Sequence, residues 1–136
     1  MPDEKLQDGQ PTLIFKRTDD FVSRYSNNCR FETYGSDLKI IFGASDQASG
    51  KEIIEQHTAI TLSWQQVKLV AYYLQVQLAL YEAQAGPVKL HPVVRPQAFP
   101  DEVPEAEKHN PRAEETLQFL RTLRERVLKD EMLIDT

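Results

Sequence analysis

With 136 residues, 40% of them hydrophobic and 27% charged, the chain has room for one compact domain of roughly 100–150 residues and an appended element. A net charge of -5 offers no cationic face for a phosphate backbone, so nucleic acid is not an expected partner. No apolar stretch reaches the ~20 residues of a membrane helix, the acidic start MPDEKLQDGQP is unlike a secretory signal, and a single cysteine, Cys29, fits a reducing cytoplasm.

In chain order, residues 1–11 are expected to be disordered, 12–87 to form a sheet-plus-long-helix core domain, 88–111 a proline-rich connector and 112–136 a C-terminal helix. "TLIFK" (12–16) reads as a short strand and "DDFVSRY" (19–25) as a helical turn. The clearest local signal is "CRFETYGSDLKIIF" (29–42), two alternating runs around Gly35-Ser36. Glycine first in a two-residue loop predicts a type II′ hairpin with positive φ at Gly35. The register then follows by counting: Thr33 opposite Leu38, Glu32 opposite Lys39, Phe31 opposite Ile40, Arg30 opposite Ile41 and Cys29 opposite Phe42. Cys29, Phe31, Leu38, Ile40 and Phe42 share a face expected to be core. Arg30, Glu32 and Lys39 share the wet one, with a cross-strand charge pair.

"GASDQASG" (43–50) reads as a loop, because the spacing of a phosphate-binding glycine loop fails where Gly50-Lys51 is followed by Glu52. "KEIIEQHTAITL" (51–62) reads as a third strand, with Ile54, Thr58, Ile60 and Leu62 on one face and Glu55 and His57 on the solvated one. Ser63 and Gln66 then mark a capping box, and Gly86-Pro87 a stop, for one long helix. At about 100° per residue, Val67, Val70, Ala71, Leu74, Leu78, Tyr81 and Ala85 collect on one side, the side that suits the sheet. Leu69, Tyr72, Tyr73, Val76, Leu80 and Ala83 collect on the opposite side, with ridges of Gln65, Gln77 and Gln84 and of Lys68, Gln75 and Glu82 between. A second apolar stripe must be buried elsewhere or remain an interaction surface.

Six prolines between Pro87 and Pro111 forbid helix or central strand there, so an extended connector is expected, carrying Asp101, Glu102, Glu105 and Glu107. Asn110-Pro111 suits the start of a second helix reaching about Met132, with Glu114 and Glu115 near its positive end. Its stripe is Ala113, Leu117, Leu120, Leu123, Val127 and Leu128, with Arg121, Arg124, Arg126 and Lys129 mostly away from it.

The fold class this predicts is α+β: an antiparallel sheet of three or four strands packed on one long helix, then the connector and an amphipathic helix. Catalysis would have to use Cys29, His57, His91 or His109, none of which forms a recognisable pair. Cys29 is expected to be buried and inert, His57 to be a surface residue, and no ligand set has metal spacing. Neither catalytic residues nor a cofactor or metal is therefore expected. The expected role is non-catalytic: a self-associating adaptor or scaffold, dimer or tetramer, with a protein or peptide partner and no membrane. Its candidate interaction residues are Leu69, Tyr72, Tyr73, Val76 and Leu80 on the long helix and Leu117, Leu120, Leu123 and Val127 on the second.

The stretch from Tyr25 to Gly86 resembles a family of small bacterial proteins with no assigned activity. The likeness lies in the Tyr25-Ser26-Asn27 strand opening, the Phe42-Gly43 strand end, the Leu62-Ser63-x-x-Gln66-x-Lys68 helix start, and Tyr81-Glu82 leading to Gly86. It implies a strand-strand-strand-helix core. "RYSNNCRFE" and the passage from Gly86 through "LHPVV" also resemble the export chaperone SecB, although the strands and their loop are shorter here and the proline segment longer. That resemblance implies dimers or tetramers with apolar grooves that hold unfolded or exported segments.

Overall fold

The computed structural model describes residues 12–46 and 53–129. Expectations for 1–11, for 47–52 and for the end of the second helix lie outside these residues. Within them run β1 (Asn28–Thr33), β2 (Asp37–Asp46), β3 (Ile53–Ser63), α1 (Trp64–Ala85) and α2 (Ala113–Leu128), an α+β chain. It divides into two compact units, Met1–Thr61 and Leu62–Thr136.

The first unit is a three-stranded sheet in the order β1-β2-β3. The β1–β2 ladder is antiparallel in the register counted from the sequence, from Thr33 opposite Leu38 to Cys29 opposite Phe42. The connection closes where the Tyr34 N–H donates to the Asp37 carbonyl at 2.9 Å. Gly35 does not take the positive φ expected of it; among the described residues the positive-φ glycine is Gly86. The loop length alone fixes the register, without the mirror-image turn. On the wet face Lys39 and Glu32 pair at 3.9 Å, and the Tyr34 hydroxyl donates to the same carboxylate at 2.9 Å.

Other boundaries and burials differ from expectation. β2 continues through Gly43 to Asp46, so the loop starts later than Gly43. Gly43 lies so close to β3 that an added Cβ would stand 2.7 Å from the Glu55 carbonyl oxygen, and glycine permits that approach. Thr12–Thr18 takes no strand structure, and 19–25 holds a single turn, closed from Phe21 N–H to the Thr18 carbonyl at 3.1 Å. On the expected core face Leu38 is buried and Ile40 and Phe42 are half-buried, whereas Phe31 and Cys29 are exposed. Alternation assigns residues to a face; it does not say that anything covers that face.

The second unit begins with α1. Ser63 accepts the Gln66 N–H at 3.2 Å as its N-cap, and Gly86, at φ 88° and ψ 176°, ends it by donating to the Glu82 carbonyl. That backbone region is essentially reserved for glycine. The connector is not simply extended: it makes two 3₁₀ turns, Pro92–Val94 and Glu105–Glu107. Asn110 caps a turn ahead of α2, its side chain accepting the Arg112 N–H at 3.0 Å, so α2 starts at Ala113 rather than at Pro111. Glu114 and Glu115 occupy its first turn, where the helix dipole favours negative charge.

Candidate interaction surface

The chemistry-bearing side chains are spread out. His57 is half-buried and held twice: Nε2 lies 3.0 Å from the Tyr25 carbonyl, which can only accept, and Nδ1 lies 2.8 Å from the Thr58 hydroxyl. The surface histidine without partners expected from the sequence is instead a clip holding the segment before β1 against β3. His91 accepts the Val93 N–H at 3.2 Å and so caps the first 3₁₀ turn. Cys29 is an exposed thiol and not the buried one expected, because its end of the sheet face is left uncovered, as the exposure of Phe31 also shows. Among the described residues no three His, Cys, Asp or Glu side chains converge to hold a metal ion.

The conspicuous surface is α1. Of the stripe expected to serve as core, Leu74, Leu78 and Tyr81 are exposed, Leu74 by 64%, whereas Val67 and Val70 are half-buried. The opposite stripe is open too: Leu69, Tyr72, Tyr73 and Leu80 are exposed, Leu80 by 60%. Val76 is half-buried beside a cleft shared with Tyr72, Gln75, Ala79 and Arg126. The Tyr72 and Tyr73 rings meet edge to face at 5.4 Å.

Beyond the half-buried valines, what is covered on α1 lies between the stripes. Ala79 is half-buried and Glu82, on a ridge expected to be solvated, is only 3% exposed. Its carboxylate accepts the Val88 N–H at 2.9 Å. A carboxylate in the last turn opposes the helix dipole, and here it is compensated by satisfying the first amide after Pro87, which has none of its own. Glu82 preceding Gly86-Pro87 was the available sequence signal for this cap.

The four candidates on α2 divide. Leu117 and Leu120 are half-buried and line a cavity with the connector residues Phe99, Val103 and Pro104, whereas Leu123 and Val127 are exposed. Val103 and Ala113 are buried. Arg121 donates to the Pro100 carbonyl at 2.6 Å and stands 3.5 Å from Asp101. One turn on, Arg124 Nε donates to the Pro96 and Gln97 carbonyls at 3.2 and 3.0 Å. These two arginines, expected to sit away from the buried stripe, instead hold the connector along α2. Prolines leave carbonyls without ladder partners, and guanidinium groups three residues apart on a helix can reach two of them.

Among the described residues only Leu38, Val103 and Ala113 are buried apolar residues, and no side chain is completely enclosed. A self-sufficient domain of this length buries roughly two-thirds of its unfolded surface. The apolar residues that could complete a core are present and lie open, most densely on α1. No helix of the described residues is long and apolar enough to cross a membrane.

No curated protein and no solved structure matches the chain, so the resemblance to SecB gains no support. Residues 2–90, well over half of the chain, match the family described as "Protein of unknown function (DUF3467)". The span takes in the three strands and α1, the strand-strand-strand-helix core expected from the sequence. By its sheet, its long helix and this match, the chain belongs to the DUF3467 family.

Proposed function

We propose that this protein is a non-catalytic, self-associating protein-binding module, an adaptor or scaffold of the cytoplasm, in which α1 is the surface shared between copies. One observation carries the reading: the leucines and tyrosines of both apolar stripes of a 22-residue helix are exposed at once. Exposed apolar patches of that extent are uncommon on monomers and mark interaction sites. Pairing about a two-fold axis uses such stripes most economically, because one face serves both partners. With two stripes, one can receive a second copy while the other remains for the sheet or for a further protein. An exposed free thiol at Cys29 suits a reducing compartment.

Sedimentation equilibrium of the wild-type chain and of the Val76→Lys/Leu80→Lys variant tests the reading. Reversible dimers or tetramers for the wild type and a smaller, still helical particle for the variant are expected. Equal masses for the two would overturn it. Suppressed aggregation of unrelated unfolded proteins would move the assignment from adaptor to holding chaperone.

A further inference from the structure

The sheet leaves one long edge open, and the chain carries a segment suited to it. Among the described residues β3 pairs with β2 only, so its other edge, 11 residues long, is left without a strand partner there. Proteins usually protect such edges with lysine, proline, a bulge or brevity. β3 has none of the first two, and Glu55 is its only charged residue. The opposite edge, β1, is six residues long and carries Arg30 and Glu32, so β3 is the receptive one.

Ahead of β1 lies Thr12–Lys16, "TLIFK", rich in residues that favour strands. It takes no regular structure in the single chain, and Leu13, Ile14 and Phe15 are 76, 85 and 93% exposed. Three consecutive large apolar residues held in solvent have no reason to persist unless something receives them. In a strand, Leu13 and Phe15 would point to one face. Beside β3 they would meet Val22, Phe42 and Ile60, the apolar side of an open cleft of about 400 Å³ that Arg24, Ser26, His57 and Thr58 also line.

We propose that Thr12–Lys16 of one copy adds as a fourth strand to the free edge of β3 in a second copy. The requirements match on both sides: a strand-forming segment facing a free strand edge, and an apolar strand face meeting the apolar side of the cleft. Among the described residues nothing pairs with the segment, and a second copy supplies an identical free edge. The exchange rests on the self-association proposed above and supplies it with a second contact, independent of α1.

Amide hydrogen exchange of the full chain at low and high protein concentration tests it, together with isotope-filtered contacts in a mixture of differently labelled copies. Protection of the 13–16 amides and of β3 should rise with concentration, and contacts between Leu13 or Phe15 and β3 should be intermolecular. Ile14→Pro, which removes a donor from a segment already outside the fold, should weaken assembly about tenfold. Ile14→Val should leave it unchanged. Protection independent of concentration would place the segment on its own sheet and overturn the exchange. So would assembly undiminished in Ile14→Pro, with the 13–16 amides unprotected, while the α1 reading stands. A wild-type chain monomeric throughout would overturn both.

Discussion

Gly86 and Gly35 separate two uses of glycine. Gly86 occupies a backbone region that a Cβ makes costly, so Gly86→Ala should destabilise the chain by about 1–3 kcal/mol. At Gly35 an added Cβ meets nothing within 4 Å and φ is not positive, so Gly35→Ala should change stability by less than about 0.5 kcal/mol. Denaturant midpoints of the two variants check the contrast. Tyr34 gives the hairpin a pH dependence. Its hydrogen bond to the Glu32 carboxylate, and then that carboxylate's charge, raise the phenol above its ordinary value of 10.0. Since the folded value lies above the unfolded one, the contribution is complete below pH 10 and is lost as pH rises through the folded value. As pH rises past about 10 the wild type should therefore lose stability more steeply than Tyr34→Phe, as chemical denaturation at each pH would record.

At the scale of elements, the hairpin register was fully legible, because a two-residue loop and a period of two leave one pairing to count. The limits of α1 were equally legible from Ser63 and from Gly86-Pro87. Burial was not: alternation placed Cys29, Phe31 and Leu38 on one face, yet only Leu38 is buried, since nothing in a strand's own sequence names its cover. The clamp between connector and α2 also escaped, because long arginine side chains can leave the face on which their Cα lies. Among the candidate residues, helical spacing placed Leu69, Tyr72, Tyr73 and Leu80 on one side of α1 without saying whether that side is covered, and the covering of Leu117 and Leu120 depended on a proline segment without periodicity. Replacing Arg121 and Arg124 together by Ala should release the connector, at up to about 1 kcal/mol for each, since their hydrogen bonds are exposed to solvent. Faster proteolysis between residues 96 and 104, with the helical circular dichroism retained in large part, is the expected result.

For the whole molecule the central claim is that one copy does not complete its own core and that α1 supplies the missing burial to another. A chain whose apolar helix faces wait for a partner has a stability that depends on concentration, because association favours the folded copies over the unfolded ones. For a dimer, each hundredfold increase in concentration adds about 2.7 kcal/mol to the folded assembly. The direct measurement is the thermal midpoint of the wild-type chain across that range, beside the Val76→Lys/Leu80→Lys variant. A wild-type Tm that climbs by several degrees, with a lower and concentration-independent Tm for the variant, is the predicted result; a wild-type Tm that does not move with concentration would contradict the account.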